Sequence, residues 1–498
     1  MTLDILHIDL HAHLRDLSTE ANSISPSIYD TAMVLRLAPP DPFWPAFDWL
    51  LREQQEDGGW LPADCGERAR TVPTLAAILA LHDRSQRSST REAIEKGLSF
   101  LRRNSSAWCK PLTDDLPVGV ELLLPMLLAE AHARGMDLPA APYAELTALG
   151  MQRRAKISRI PPHLIPGSSA SHSWEAFGES ADARLVHPVS GVGASPAATA
   201  AWLRMAPSDS PARAMAVDYL RRAALATGVG IPGVVPTVFP IGRFMETYSS
   251  HTLAQAELAA ASDMATILGP RFDELAAEVE PEGLGFTDGL SPDADDTAAV
   301  LGALQALGRR PSLGPLRRFV TSTHVVTYPG ELQPSAITTA RAIQVLHTAG
   351  EDVTHLRQWL AARQEGDGRW PADKWNSNWI YTTWQVILAL REDPFFEDVL
   401  QHVCRILIAF QYRDGGWGIS HSTIEATAYG LLALAALPRS LRLPEVDEAI
   451  RRAREWLYAA YQPFTPSEEL HWTGKEPYRP TRLSRIIILA AMLTPTAQ

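Results

Sequence analysis

Gln411-Tyr-Arg-Asp-Gly-Gly-Trp417 is one of three stretches that follow the pattern Gln-x-x-Asp-Gly-x-Trp, together with Gln54-Gln-Glu-Asp-Gly-Gly-Trp60 and Gln364-Glu-Gly-Asp-Gly-Arg-Trp370. Asp-Gly is a preferred turn dipeptide. Tryptophan is a large apolar anchor that can hold such a turn against a helix end, where the glutamine can hydrogen-bond backbone groups left without helical partners. Three unrelated surface turns are the simpler explanation. The recurrence favours an array of helical hairpins.

Apolar residues recur with helical spacing along most of the chain, and alternating strand patterns are scarce. We therefore predict an all-α fold. The stripes that predict helices cover residues 253–268, 297–307, 340–349, 384–390, 403–410, 427–437, 446–461 and 484–493. A Pro-rich stretch that ends at Pro240 suggests a domain junction there.

The composition of the 498 residues narrows the functional classes. A net charge of −12 argues against general binding to nucleic acid or to an anionic membrane. The three cysteines, Cys65, Cys109 and Cys404, are too few and too far apart to suggest a disulfide framework or a Cys-based zinc site. The first residues resemble no secretion signal and no stretch has the length of a membrane span, so we expect a cytoplasmic protein.

Three aspartates, Asp293, Asp295 and Asp296, lie together in Ser291-Pro-Asp-Ala-Asp-Asp-Thr297. Neighbouring buried carboxyl groups cannot all ionise at neutral pH, and such a group can act as a strong acid, as protonation of an alkene requires. We expect Asp295 to be the acid and the other two to couple with it. The alternative is helix capping, because an apolar helix is predicted directly after the cluster and its dipole favours ionised aspartate.

Motifs along the whole chain resemble those of bacterial class II diterpene cyclases, relatives of copalyl and halimadienyl diphosphate synthases. The motifs are Ser25-Pro-Ser-Ile-Tyr-Asp-Thr-Ala32, Pro117-Val-Gly-Val-Glu121, Ser195-Pro-Ala-Ala-Thr-Ala200, Val235-Pro-Thr-Val-Phe-Pro240, Asp373-Lys-Trp375 and the segment at Tyr478. Met33 departs from this pattern, because the family has tryptophan there.

The resemblance implies two α/α-barrel domains with the active site between them. Residues 1–18 would form the first helix of the β domain, residues 19–240 an inserted γ domain, and residues 241–498 the rest of the β domain. It also implies that Asp295 protonates the terminal double bond of geranylgeranyl diphosphate. A bicyclic labdane-, halimane- or clerodane-type diterpenyl diphosphate would follow. The Asp-Asp-x-x-Asp motif of diphosphate-ionising enzymes is absent from the sequence, so the product should keep its diphosphate.

Two lysines match family positions that hold the diphosphate: Lys156 in Lys156-Ile-Ser-Arg-Ile-Pro161, and Lys374 in Asp-Lys-Trp. The alternative is that each is an ordinary solvated or ion-paired lysine. The acidic magnesium motif of plant relatives has no convincing counterpart near Asp114 and Asp115. We therefore expect no protein-held metal, and Mg²⁺ that arrives with the diphosphate.

The family's pair of residues for the final base is only partly matched. His172 matches the histidine that plant enzymes pair with an asparagine around a water, but Thr237 stands at the asparagine position. An ent-copalyl product is therefore not expected. Among the aromatic residues, Trp375 and Tyr381 are candidates to line the cavity and stabilise carbocations, although most aromatic residues only pack the core.

Several alternatives remain at this point. Farnesyl diphosphate could replace the C20 substrate and give a drimenyl-type product. Asp9-Leu-His-Ala-His-Leu-Arg15 resembles the His-x-His strand of metal-dependent amidohydrolases. A non-catalytic helical-repeat scaffold would explain the repeats but not the aspartates. We expect a downstream class I synthase or phosphatase to act on the product, and a homodimer is an open alternative.

Overall fold

A computed structural model of the protein describes residues 3–84, 87–113, 115–258, 263–279, 281–331 and 333–495. Within these ranges the chain is mainly helical and carries one two-stranded antiparallel hairpin. The helices are α1 (Leu3–Arg15), α2 (Ile28–Leu37), α3 (Trp44–Arg52), α4 (Glu67–Arg84), α5 (Ser88–Asn104), α6 (Val120–Ala133), α7 (Ala144–Ile157), α8 (Pro196–Met205), α9 (Ala212–Ala226), α10 (Gly242–Gln255), α11 (Met264–Glu278), α12 (Ala294–Ala306), α13 (Gly314–Arg317), α14 (Ala336–Thr348), α15 (Thr354–Ala361), α16 (Trp379–Leu390), α17 (Glu397–Ala409), α18 (Ile424–Ala435), α19 (Pro444–Ala460) and α20 (Thr481–Leu493), and the strands are β1 (Trp472–Thr473) and β2 (Pro477–Tyr478). The predicted all-α class is confirmed.

The three Gln-x-x-Asp-Gly-x-Trp repeats share one hydrogen-bond pattern. Each tryptophan indole N–H donates to a carbonyl ten residues earlier, at the preceding helix: Trp60 to Leu50 at 2.8 Å, Trp370 to Leu360 at 2.7 Å and Trp417 to Leu407 at 2.8 Å. Each glutamine amide donates to the carbonyl of the turn glycine, and that glycine has a φ near +90° to +100°. Only glycine adopts this conformation without strain. Each repeat therefore fixes its turn against the preceding helix through the same hydrogen bonds.

Six helices of the C-terminal part form a closed ring in the order α10, α12, α14, α16, α18, α20, because each contacts the next and α20 contacts α10. The outer helices α11, α13, α15, α17 and α19 pack against this ring, and so does α1 from the start of the chain. Leu6, Leu10 and Leu14 of α1 belong to the same hydrophobic core as the ring. This C-terminal ring is an α/α barrel.

A second, smaller ring is built from α2, α4, α6, the 3-10 segment Ser169–Ala176 and α8, with its own apolar core. The hairpin β1–β2 reaches from the C-terminal barrel to this N-terminal ring. There the N–H of Val118 donates to the carbonyl of Gly474 (2.8 Å), and the N–H groups of Ile28 and Tyr29 donate to the Glu476 carboxylate (2.8 Å each). The domain boundaries at residues 18 and 240 stay predictions.

Most of the apolar stripes lie in helices, but the prediction of one helix over residues 253–268 is wrong. α10 ends at Gln255, and α11 begins only at Met264. Glu257 has a φ of +59°, and the N–H of Leu258 donates back to the carbonyl of Leu253 at 2.9 Å. This left-handed residue with a six-to-one hydrogen bond is a common helix stop, which the apolar pattern does not reveal.

The His-x-His stretch is not a metal-binding strand, because residues 9–13 lie inside α1. Residues two apart on a helix point in different directions, so His11 and His13 do not share a face. Asp9 is instead a buried acceptor for Arg485 (2.6 Å) and for the N–H of Phe464 (2.9 Å), which ties α1 to the C-terminal helix. Among the described helices, none is both long and apolar enough to cross a membrane.

Candidate active site

The aspartate cluster lies at the N-terminus of α12. The Asp293 carboxylate accepts a hydrogen bond from the N–H of Asp296 (2.8 Å) and caps the helix. The N–H of Ala294 donates to the carbonyl of Thr327 at 2.8 Å, which fixes the first turn. Helix capping is thus present, but one aspartate performs it, and Asp295 and Asp296 are left buried in the first turn.

Asp295 projects into the barrel and is held from two neighbouring helices. The hydroxyl of Tyr248 on α10 and the guanidinium of Arg341 on α14 each donate a short hydrogen bond to a different oxygen of its carboxylate. Arg341 is fully buried and lies over the Tyr248 ring, with its guanidinium carbon 4.0 Å from the ring centroid. Asp295 is therefore positioned by a cation, a phenol and an aromatic face inside the barrel.

The other two aspartates form a proton-retaining pair. Burial, and then the negative charge of Asp296, raise the pKa of Asp293 well above its usual range. Burial is also the largest cause that raises the pKa of Asp296 to about 7, with Asp295 adding to it. One oxygen of Asp296 is buried with no partner among the described residues. The pair therefore holds a proton close to Asp295 near neutral pH.

Aromatic rings surround the acid. The ring of Trp472 in β1 lies 5.8 Å from Tyr248 and 5.2 Å from Tyr381, and Phe244 lies 4.1 Å from Tyr248. Arg341 donates to the Tyr381 hydroxyl at 3.4 Å. Tyr381 thus lies beside the acid, and its role in lining a cavity stays a prediction. Trp375 is partly buried, and its indole N–H has no partner among the described residues.

Lys156 and Lys374 meet at one loop. Lys156 donates to the carbonyl of Gly330 at 2.7 Å, and Lys374 donates to the carbonyl of Gln333 at 2.7 Å and pairs closely with Glu331. Glu331 also accepts from the N–H of Thr327 at 2.9 Å. Since the carbonyl of Thr327 binds the start of α12, this lysine loop is connected directly to the acid cluster.

His172 and Thr237 lie nearer the N-terminal ring, and no hydrogen bond joins them in the described structure. His172 Nδ1 is 2.8 Å from the carbonyl of Gly193, which only accepts, so Nδ1 carries the proton and Nε2 is the basic nitrogen. Burial and then Lys475 lower the pKa of His172 to about 3. Thr237 is buried beside Gly474, where an added Cβ would lie 2.8 Å from its methyl carbon, and its hydroxyl has no partner within the described ranges.

Several residues of the site were not predicted. Arg341, Tyr248 and Trp472 surround the acid, and Lys475 pairs with Glu175 between the two rings. Arg341 had a detectable signal, because it is a charged residue within an apolar helical stripe. Such a residue is costly to bury unless it is paired. The contacts of Tyr248 and Trp472 depend on the closure of the ring, which no local pattern encodes.

In the described part of the chain, no group of three or more His, Cys, Asp or Glu side chains is arranged to hold a metal ion. The absence of a protein-held metal stays a prediction. Asp114 lies outside the described residues, and Asp115 is exposed and accepts from the Thr113 hydroxyl.

Comparison with known proteins places the chain among terpene cyclases. Residues 331–431 match the squalene-hopene cyclase C-terminal domain family. The chain is 40% identical over 521 residues to (+)-kolavenyl diphosphate synthase of Herpetosiphon aurantiacus, which covers 100% of this chain and 98% of the relative. It is 30% identical over 518 residues to copalyl diphosphate synthase of Streptomyces cyslabdanicus, covering 94% and 92%.

The structural comparison agrees with the sequence relatives. The solved structure of ent-copalyl diphosphate synthase from Streptomyces platensis superposes with a TM-score of 0.80 at 28% sequence identity, covering 98% of this chain and 99% of that one. The barrel, the buried aspartates and these relatives lead to one conclusion. The chain belongs to the bacterial class II diterpene cyclases.

Proposed function

We propose that the protein protonates the terminal double bond of geranylgeranyl diphosphate and cyclises it to a bicyclic diterpenyl diphosphate. The observation that carries this proposal is the buried Asp295 at the N-terminus of α12, which Tyr248 and Arg341 hold among aromatic rings. Asp9 is also buried and bound by an arginine and a tyrosine hydroxyl, but its titratable neighbour is His13. Asp295 differs because it lies beside Asp293 and Asp296, whose pKa values are raised.

Asp295 is the proposed proton donor. An alkene is a weak base, so its protonation needs an acid whose conjugate base is well stabilised. Arg341 and Tyr248 stabilise the carboxylate that Asp295 leaves behind, because hydrogen bonds to charged acceptors are the stronger ones. Asp293 and Asp296, with their raised pKa values, keep a proton beside Asp295. The helix dipole favours an ionised aspartate, whereas an acid must be protonated. Asp293 caps the helix, Asp296 helps to retain a proton, and Asp295 is left to donate one.

The carbocation that follows needs negative electrostatic potential without a nucleophile. The faces of Trp472, Tyr381 and Phe244 supply this, since a cation over an aromatic face is stabilised by about 0.5–2 kcal/mol. Trp375 would line the same cavity nearer to Lys374, whose Nζ lies 5.1 Å from its ring.

Lys156 and Lys374 are the proposed diphosphate ligands, because both lie on the loop that leads to the acid cluster. Lys374 would leave its ion pair with Glu331 and bind the diphosphate instead. The lysine ammonium is a compact charge on a flexible side chain, so it can change partners more easily than the planar guanidinium of an arginine. When bound, Mg²⁺ would neutralise part of the diphosphate charge. Its proposed route into the site is with the substrate. The diphosphate then stays on the product for a downstream class I synthase or phosphatase.

The proposed product is of the kolavenyl type, because the relative that matches at 40% identity makes kolavenyl diphosphate. Labdane- and halimane-type diphosphates are the alternatives, and farnesyl diphosphate is the alternative substrate.

His172, with its basic Nε2, is a proposed proton acceptor at the boundary of the two helical rings, and Thr237 would orient a water there. We further propose a cytoplasmic location; a homodimer is a secondary proposal.

The test is to incubate the purified protein with geranylgeranyl diphosphate and Mg²⁺, remove the diphosphate with phosphatase and analyse the alcohols by gas chromatography with mass detection. We expect a new bicyclic C20 alcohol that co-elutes with dephosphorylated kolavenyl diphosphate. Parallel reactions with farnesyl diphosphate test the C15 alternative. Recovery of geranylgeraniol alone, under conditions where the protein is folded, would refute the proposal.

A further inference from the structure

A hydrogen bond closes the C-terminal barrel below the acid. His251 Nε2 on α10 lies 3.2 Å from the amide oxygen of Gln385 on α16. In the ring, α10 and α16 are separated by two helices in either direction, so they lie on opposite sides. The contact therefore crosses the lumen. Below it, Arg391 donates to the side-chain oxygen of Gln255 at 3.4 Å between the same two helix ends.

The hydrogen bond between His251 and Gln385 lies about one helical turn from the residues that bind the acid. His251 follows Tyr248 by three residues on α10, and Gln385 follows Tyr381 by four residues on α16. Residues at these spacings share a helix face. The Tyr248 hydroxyl binds Asp295, and the Arg341 guanidinium, which also binds Asp295, is close enough to influence the pKa of His251. His251 therefore lies on the same inner face of the barrel as the residues that hold Asp295, one helical turn deeper.

The imidazole of His251 has the form of a base. The Gln385 oxygen only accepts, so Nε2 carries the proton and the lone pair is on Nδ1. Burial, and then the charge of Arg341, lower the pKa of His251 to about 3, which keeps the ring neutral. His251 is 4% exposed, and its ring points into the lumen, because Nε2 reaches Gln385 on the opposite helix of the barrel.

We propose that His251 is the base that removes a proton from the first-formed ring and so ends the reaction. This inference rests on the proposed function. The substrate end that Asp295 protonates becomes the first ring, which therefore forms next to Asp295 and above His251. Hydride and methyl shifts move the positive charge from the second ring back to the first. From its position below Asp295, His251 would reach hydrogens on the first carbon ring of the substrate. His172, in contrast, lies at the boundary between the C-terminal barrel and the N-terminal helical ring.

The proton balance closes within the same cluster. A C–H bond beside the cationic carbon breaks, its electron pair forms the ring double bond, and the proton binds His251 Nδ1. An imidazolium near Arg341 is unfavourable, so the proton passes on to the Asp295 carboxylate, which lost one proton at the start. The isomerisation then consumes no net proton and needs no other reactant.

The test compares His251→Gln with His347→Gln, a control on the exposed end of α14. Glutamine keeps a donor for Gln385 but has no basic nitrogen. We expect His251→Gln to consume geranylgeranyl diphosphate at a tenth of the wild-type rate or faster. The share of the ring-olefin product should fall at least tenfold, with hydroxylated or isomeric products in its place. The control should match the wild type.

An unchanged product ratio in folded His251→Gln protein overturns the inference, whatever the rate, because a purely structural role lowers all products together. If thermal unfolding shows that this variant does not fold, Gln385→Leu is measured instead. There the imidazole loses its orienting partner, and the olefin share should fall at least twofold; an unchanged share again overturns the inference. A wild-type protein that leaves the substrate intact refutes the proposed function itself, and this inference with it.

Discussion

The pairing of Arg341 with Asp295 gives the sharpest prediction, which Arg341→Met tests. The substitution keeps an unbranched side chain of similar length and removes the charge and the donors. A hydrogen bond to a charged group contributes about 1.5–3 kcal/mol. If Arg341 stabilises the Asp295 carboxylate only as the proton leaves, this energy adds to the barrier. Since about 1.4 kcal/mol is a factor of ten in rate, kcat should fall about 10- to 100-fold.

The stability effect of the same change can be separated from its effect on catalysis. Removing one partner of a buried ion pair costs about 3–5 kcal/mol when the other partner stays charged. We therefore expect Arg341→Met to lower the free energy of unfolding substantially, and to lower it less in an Asp295→Asn background. Single-turnover product formation is measured well below the unfolding temperature of each variant.

Arg357→Met is the matched control. Arg357 is also a buried arginine, but it lies on the outer helix α15 and donates to the carbonyl of Ala389 at 2.9 Å. It should lose stability and keep kcat within about twofold, because its hydrogen bond to Ala389 and its ion pair with Asp393 (3.6 Å) do not involve the aspartate cluster. If Arg341→Met retains the wild-type kcat, or if both variants lose activity equally, Arg341 has no role in the proton transfer.

Three further predictions concern pH, the repeats and the diphosphate. Because the pKa values of Asp293 and Asp296 are raised, the folded state binds more protons than the unfolded state between about pH 4 and 7. The free energy of unfolding should therefore fall as pH rises through this window. In thermal unfolding scans, Asp296→Asn should make this fall smaller. A melting temperature of the wild type that rises from pH 5 to pH 7 would contradict this sign. Gln54→Ala removes two hydrogen bonds, to the carbonyls of Gly58 and Ala93, and should cost about 1–3 kcal/mol in denaturant unfolding, whereas Gln55→Ala, at the exposed neighbouring position, should cost less than about 0.5 kcal/mol. Lys156→Ala should raise KM for geranylgeranyl diphosphate about tenfold, as loss of one phosphate contact implies, while Lys96→Ala, which removes an exposed pair with Glu92, should leave KM unchanged; equal KM values would exclude Lys156 as a ligand.

Local features of the chain predicted more of the fold than of the site. The turn chemistry of the repeats and the helical spacing were sufficient for an all-α chain of hairpins, because both act within about ten residues. The end of α10 was missed, since an apolar stripe continues past Gln255 while the backbone turns at Glu257. That stop depends on one left-handed residue, for which glutamate gives no signal.

The aspartates were visible as a cluster because they are adjacent in sequence. Their partners were not, because Tyr248 and Arg341 are 47 and 46 residues away from Asp295 and meet it only when the ring closes. The same holds for His251 and Gln385, which are 134 residues apart. Residues that act across a barrel lumen carry no shared local pattern, and only the assembled structure brings them together.

Asp295→Asn removes the proposed proton donor itself. Asparagine has nearly the same shape and keeps an acceptor for Arg341, but it has no proton to give to an alkene. We predict that product formation from geranylgeranyl diphosphate falls below about one part in a thousand, on the order of the loss of a general acid. The melting temperature should fall, because the buried Arg341 loses its charged partner, so product formation is measured well below the unfolding temperature of the variant. Asp273→Asn, at an exposed aspartate of α11, should behave as the wild type. A folded Asp295→Asn protein that cyclises the substrate at the wild-type rate would contradict the account.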